Sequence, residues 1–402
     1  MKRKLLILTS TFPRWAGDTD PPFIFELSKR LACDFDIIIH APHYPNSKTF
    51  EQIDGIRVHR FRYFVESFEK LAGSQGILPT LNRKKIYYLL LPFFLVSQFF
   101  SLLWFVCRNR PDIIHAHWLI PQGFAAVIIK IIFAIPVVVT AHGGDVFGLQ
   151  HSIFKRVKRF IVRKADKITV VSAALRNAIY QDGADVSIPV IPMGVDAGMF
   201  LPDRSHDDIR KKYDIQGELI LFVGRLSEKK GVRYLVDAMP RVLREFPAAK
   251  LLIVGSGELD GELAAQARNS PVLREHIVFA GGMPNNKLPA YYANADIFVG
   301  PSVKAKGGDT EGFGLTFVEA ALSGCLLIGS DVGGISEIIE DRKTGFLVPE
   351  KNSQAIAEKI IYGLTNKKEV AEIRKNARLK CVEKFDWGVI AKQYAELLSS
   401  VV

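Results

Sequence analysis

Two acids, Glu311 and Glu319, stand either side of Gly312-Phe313-Gly314 in a run that begins at Gly300-Pro-Ser and continues to Gly324. An apolar strand ends at Val299, a glycine-rich loop follows, and a helix begins near Gly314. This layout turns backbone N–H groups and a helix N-terminus toward one place, a seat for phosphate or for a sugar beside it. Glu319, inside the helix, can take both hydroxyls of a ribose. The plainer alternative is an acid that favours the helix dipole and a second acid on the surface.

A second run, Leu221-Phe-Val-Gly224-Arg225-Leu-Ser-Glu-Lys229-Lys230-Gly231, carries a buried strand into two cations at its carboxyl end. Arg225 and Lys230 there suit a diphosphate. A third, Val138-Val-Thr-Ala-His142-Gly143-Gly144-Asp145, brings His142 off a strand end into a double-glycine turn.

The elements that position these residues alternate strand and helix. In the first half the strands are Leu5–Leu8, Ile37–His40, Ile56–Phe61, Ile113–His115, Pro136–Ala141, Ile168–Val171 and Val190–Ile191. Helices such as Phe23–Leu31, Gly123–Phe133 and Ser152–Lys164 lie between them. The second half repeats the plan with Leu219–Val223, Lys250–Val254, Ile277–Ala280, Ile297–Val299, Leu326–Ile328 and Gly345–Val348. The alternation predicts α/β architecture with parallel sheets. A chain of 402 residues suits two domains, 1–195 and 196–386, with a final helix over 387–400 packing back on the first. Such domains facing each other make a cleft, because open sheets bind ligands at the carboxyl ends of their strands.

The net charge is +11, and residues 1–195 hold all of the excess, with 25 Lys+Arg against 14 Asp+Glu; the remainder carries 28 of each. That half also contains Ile86–Cys107, an apolar run broken only by Pro92, Ser97, Gln98 and Ser101 and flanked by Arg83-Lys84-Lys85 and Arg108. It is long enough to span a bilayer, to form a buried core helix, or to lie in the membrane interface. The interfacial reading is preferred, because a span would put two strands of one sheet on opposite sides of the bilayer. The segment Phe154–Lys167, with seven cations against Asp166, reads as a membrane-surface helix and not as a nucleic-acid patch. Cys33, Cys107, Cys325 and Cys381 form no zinc spacing and read as buried, reduced thiols.

Taken together, these segments resemble the family-4 retaining glycosyltransferases (group 1) of the GT-B fold. The resemblance runs through Thr11-Phe-Pro13, His115-Ala-His117-Trp118, Thr140-Ala-His142-Gly-Gly-Asp145, Val170-Val-Ser172, Ile191-Pro-Met-Gly194-Val-Asp196, Gly224-Arg225-Leu and the Glu311/Glu319 pair, then Glu337 and Gly345-Phe-Leu-Val-Pro349. It implies two Rossmann-like doubly wound domains facing across a cleft. Arg225 and Lys230 would bind the donor diphosphate, and Glu319 the ribose. Glu311, with the backbone of Phe313, Gly314 and Leu315, would bind the transferred sugar. His142 would contact that sugar near the reacting carbon, with Asp145 beside the donor, so that His142 and Glu311 are the catalytic candidates. Retention in this family implies a leaving phosphate that itself helps take the acceptor proton, so no separate carboxylate base is assigned.

The sequence departs from the family at the first loop. A Gly-Gly pair near the donor phosphate is replaced by Asp18-Thr19, and Gly17 falls one residue early as a phosphate contact. Asp18-Thr-Asp20 and Asp34-Phe-Asp36 are D-x-D strings outside the context that binds metal, so no metal and no other cofactor is expected.

The reading is a glycosyltransferase that uses a UDP- or GDP-type sugar donor and a saccharide acceptor. The acceptor would be lipid-linked, in surface polysaccharide biosynthesis, with the enzyme cytoplasmic and peripheral on the inner face of the membrane, bound to anionic lipid and not to nucleic acid. The alternatives are the same transfer to a soluble phosphorylated sugar or cyclitol, and a non-catalytic nucleotide-sugar binding protein.

Overall fold

A computed structural model of the chain describes every residue except 1, 16–17, 19–21, 73–75 and 204–208. It divides into two compact units. One comprises Met1–Met193 and Gly388–Val402; the other is Gly194–Trp387.

In the first unit, β1 (Arg3–Leu8), β2 (Phe35–Pro42), β3 (Phe50–Ile53), β4 (Ile56–Phe61), β5 (Ile113–His117), β6 (Val137–Ala141) and β7 (Lys167–Val170) form one sheet. The order is β3-β4-β2-β1-β5-β6-β7. All pairs are parallel except β3 with β4. The central strands are apolar runs because helices cover both faces of a parallel sheet. The edge strand β3 has no such run: of Phe50-Glu-Gln-Ile53 only Ile53 is buried. Val190, expected in a strand, makes a single bridge to Val170.

The second unit contains β8 (Leu219–Val223), β9 (Lys250–Val254), β10 (Ile277–Gly281), β11 (Ile297–Gly300), β12 (Leu326–Ser330) and β13 (Phe346–Val348), in the order β10-β9-β8-β11-β12-β13, all parallel. In both sheets the strand order reverses next to the first strand. β1 leads to β2 on one side and has β5 on the other; β8 leads to β9 and has β11 on the other. Helices leave such a point toward opposite faces, which opens a crevice at the carboxyl ends of the two strands.

The helix Leu91–Asn109 with the turns before it, Lys85–Leu90, is long and apolar enough to cross a membrane by composition. Its setting is different. Phe94, Gln98, Leu102, Phe105 and Val106 are buried, one stripe at helical spacing, and β1 and β5 on either side of this connection pair directly. The opposite face leaves Phe93, Val96, Phe100 and Trp104 at least half exposed. The segment is therefore neither a fully buried core helix nor a helix apolar to lipid all round.

The basic helix runs Ser152–Lys164, the bounds expected for that helix, while the basic segment Phe154–Lys167 runs past it because Lys167 already opens β7. Its apolar side is taken up by the protein itself, with Ile161 and Val162 buried. Two of its cations, Lys155 and Lys158, pair with Asp182 at 2.9 and 2.7 Å. Two cysteines also depart from expectation: Cys33 and Cys107 are exposed, while Cys325 and Cys381 are buried.

The chain enters and leaves the second unit at adjacent points. Val195 N–H donates to the Phe385 carbonyl at 2.9 Å, and Trp387 N–H donates to the Val195 carbonyl at 3.1 Å. The Trp387 ring lies on Gly194, where a Cβ would come within 2.6 Å of it. The helix Trp387–Ser399 then carries Tyr394 into the first unit, where its hydroxyl donates to the Ile191 carbonyl at 2.9 Å.

Candidate active site

The loops after β8 and β11 meet at the reversal point of the second unit. Gly231 allows the approach: its φ is +62°, and a Cβ there would lie 2.0 Å from the Pro301 carbonyl oxygen. The Val303 N–H donates to the Lys229 carbonyl at 2.8 Å, and Lys229 pairs with Asp309 at 3.0 Å. Lys230 Nζ donates to Glu311 Oε2 at 2.5 Å, and Ser302 Oγ reaches the same oxygen at 3.3 Å. Burial pushes the Glu311 carboxyl up, but the charges of Lys230 and Lys229 and the bonds from Lys230 and Ser302 outweigh it and hold Glu311 below its ordinary value.

Gly314 turns the loop into the helix Leu315–Leu322 through a left-handed conformation, φ +104°, which residues with a Cβ rarely adopt. The helix thus starts at the loop with Phe313, Gly314 and Leu315 as its opening backbone. The Phe313 ring is buried edge-on against Phe385, with centroids 5.2 Å apart. Glu319 lies on the same helix, and its Oε2 accepts a 2.7 Å bond from the Tyr292 hydroxyl. Burial pushes the Glu319 carboxyl up to about 7; the Tyr292 bond and the Lys230 charge oppose this without cancelling it. Arg225 is half-buried at the end of β8. This unit therefore brings Arg225, Lys230, Glu311, Glu319 and the backbone of Phe313–Leu315 to the carboxyl ends of its central strands.

Site residues of the first unit follow β5 and β6. His142 leaves β6 with its ring tilted against Trp118 at 4.8 Å and Phe23 at 5.4 Å. Its Nε2 lies 2.9 Å from His117 Nδ1. Burial pushes His142 down to about 3, with the neighbouring His115 adding to the effect. Asp145, expected beside the donor, has both oxygens engaged by backbone: Oδ1 accepts from the N–H groups of His142 and Gly143, and Oδ2 from Leu119. It clamps the two loops together. Gly17 lies outside the described residues.

Two of these side chains carry no role in the sequence reading, and a third carries a different one. His117 was quoted in a motif without a role, although its alternate spacing from His115 puts both on one face of β5. Asp145 was given a role facing the donor, and its loop-clamping one was not foreseen. Tyr292 sits in an ordinary helix, Leu288–Asn294, with no local signal.

Of the D-x-D strings, Asp18 is paired with Arg14 and Asp36 with Arg57, each at 2.5 Å. Among the described residues no group of three or more His, Cys, Asp or Glu is placed to hold a metal ion.

Residues 22–198 match the family model for Glycosyltransferase Family 4, and residues 205–380 that for Glycosyl transferases group 1. The chain is 31% identical over 272 residues to the phosphatidyl-myo-inositol mannosyltransferase of Mycobacterium tuberculosis, covering 66% of this chain and 68% of that one. The chain belongs to the group 1, family 4 glycosyltransferases. A second relative is the GDP-mannose-dependent alpha-(1-6)-phosphatidylinositol monomannoside mannosyltransferase of Mycolicibacterium smegmatis, 30% identical over 65% of this chain and 70% of that one. Among solved structures, the sucrose-phosphate synthase of Thermosynechococcus elongatus superposes with a TM-score of 0.79 at 22% identity over 99% of both chains. The Anabaena HepE structure in complex with UDP-glucose gives 0.76 at 22% over 99% of each. These likenesses identify the fold as GT-B. As a family member this glycosyltransferase is a retaining enzyme that moves a sugar from a nucleotide-sugar donor to a saccharide acceptor.

Proposed function

We propose that the second unit holds a UDP- or GDP-type sugar, and that the acceptor is a saccharide carried on a lipid at an anionic membrane surface, in surface polysaccharide assembly. Arg225 and Lys230 hold the diphosphate, Glu319 the ribose, and Glu311 with the Phe313–Leu315 backbone the transferred sugar. His142 contacts that sugar near the reacting carbon. The observation that carries the donor half is the meeting of Lys230 and Glu311 beside a helix N-terminus at the β8/β11 reversal. Two fixed cations neutralise the leaving diphosphate, so the reaction proceeds without a metal ion.

The acceptor half rests on the exposed apolar face of Leu91–Asn109 and on the basic excess of residues 1–195. The two mannosyltransferases named above act on phosphatidylinositol-based acceptors, which supports a lipid carrier. The enzyme is then peripheral on the inner face of the membrane. The same basic excess favours a second reading, a soluble acceptor bearing phosphate.

Two experiments test the proposal. A thermal-shift screen of nucleoside diphosphates and their sugars is expected to give a shift with one base, and no shift with any would overturn the donor assignment. Flotation with anionic vesicles is expected to carry the protein upward. Failure to float, with transfer to soluble acceptors intact, would favour the second reading.

A further inference from the structure

His142 stands at the end of a row of buried polar side chains. His115 and His117 share one face of β5, and the register His117↔Thr140 and Thr140↔Thr169 puts Thr140 and Thr169 on the same side. His115 Nε2 lies 2.8 Å from Thr140 Oγ1, which lies 2.7 Å from Thr169 Oγ1. The rings of His115 and His117 are 4.2 Å apart, and His117 Nδ1 meets His142 Nε2 at 2.9 Å. Burial holds all three imidazoles neutral.

Each neutral ring carries one proton, so the facing nitrogens of His117 and His142 share a single N–H. The far nitrogen of His117 decides which ring donates. Nε2 is buried without a hydrogen-bond partner among the described residues. If His142 donated, His117 would hold its proton on Nε2, a buried N–H with nothing to receive it, which is rare and costly. If His117 donates from Nδ1, its Nε2 is a bare lone pair, and the proton of His142 resides on Nδ1.

We infer that His117 is a positioning residue whose Nδ1–H holds His142 Nε2, so that His142 offers substrate an N–H donor at Nδ1 and no lone pair. Asp145 fixes the backbone of the same residue through the His142 and Gly143 N–H groups. The ring is then set by His117 on β5 and the backbone by Asp145 in the loop after β6. His142 is thereby a donor toward an oxygen of the transferred sugar and not a proton acceptor, in keeping with a reaction that assigns no side-chain base. The proton position rests on the 2.9 Å contact, the unpartnered Nε2 of His117 and the neutrality that burial imposes; its consequence for transfer rests on the role proposed for His142.

The test uses the full chain labelled with 15N-histidine, with His142 assigned by comparison with His142→Gln. Long-range proton–nitrogen spectra are expected to show the Nδ1–H tautomer at His142; the Nε2–H tautomer would overturn the inference. Two variants read its effect on transfer. His117→Leu is expected to lower kcat about ten- to a hundredfold with the donor KM unchanged. His117→Asn, whose amide places an N–H near the former Nδ1, is expected to restore most of that loss. An unaltered kcat in His117→Leu, or an Asn variant no better than Leu, would sink the positioning role. If the Leu variant does not fold, the His142 spectrum of the Asn variant decides, with loss of Nδ1–H as the contrary outcome. A wild-type protein that transfers no sugar would remove the proposed function and leave the tautomer result standing.

Discussion

Lys230 and Glu311 are one unit: a 2.5 Å charge-assisted bond joins the loop after β8 to the loop after β11, with only 16% and 12% of the two side chains exposed. Removing Lys230 leaves Glu311 buried with only Ser302 and the Lys229 charge to offset it. Lys230→Met is expected to cost about 2–3 kcal/mol of stability, at or below the low end for fully buried pairs because this one is partly wet. Glu311→Gln, which keeps a hydrogen-bond acceptor for the ammonium, is expected to cost less. Thermal melts of both variants check the order, and a loss in Glu311→Gln as large as in Lys230→Met would contradict it.

Burial raises the Glu319 carboxyl to about 7, and this couples folding to pH. In the folded state it binds a proton that the unfolded chain, at its ordinary 4.5, has released. Between these values the folded state holds more protons, so this group makes stability fall as pH rises. Glu319→Gln is expected to flatten that part of the melting-temperature profile. A carboxylate accepts ribose hydroxyls better than a carboxylic acid does, so donor affinity is expected to weaken as pH drops through about 7. Calorimetric titration with a nucleoside diphosphate measures this, and a pH-independent affinity across that range would refute it.

Tyr292 tunes the same acid. Its hydroxyl favours the charged form of Glu319, so Tyr292→Phe is expected to push the carboxyl further up. Nucleoside diphosphate binding at neutral pH is expected to weaken about tenfold, the size of one hydrogen bond to a charged group, and to recover in alkali. Loss that persists in alkali would point to disturbed packing of Tyr292 against Phe200 and Phe298 instead.

The two faces of Leu91–Asn109 predict opposite phenotypes. Phe93→Ser with Phe100→Ser, at positions 52% and 60% exposed, is expected to abolish vesicle flotation with little change in melting temperature. Leu102→Ala, fully buried, is expected to lose about 2–5 kcal/mol of stability. Flotation and melting curves on the same preparations separate the two.

How much of this was legible follows from where the signals lie. Leu219–Val223 and Ile297–Gly300 are buried on both faces, so their apolar runs betray them, and the loops they release hold Lys230 and Glu311. Phe50–Ile53 has a single buried residue and joins β4 by its backbone ladder, a Phe50–His59 stack and a Glu51–Arg60 ion pair, so no hydrophobic pattern marks it. The apolar run over 86–107 left several settings open, and only the burial of Phe94, Leu102 and Phe105 distinguishes them. Within the site, charge and glycine spacing pointed to the groups that face ligand. The groups that hold them, His117 behind His142 and Tyr292 behind Glu319, are invisible locally because each contact spans 25 or more residues.

The paired crossings at Val195 and Asp386 have a consequence for how the chain is made. Gly194–Trp387 is continuous and is complete once Trp387 emerges from the ribosome, whereas the unit that holds Met1–Met193 is still missing Gly388–Val402. Tyr394 packs beside His115 and closes onto Ile191, so that row of buried histidines gains its cover only after the whole of Gly194–Trp387 has been made. The inserted half can therefore finish folding before the half that was started first, reversing the usual order of vectorial folding.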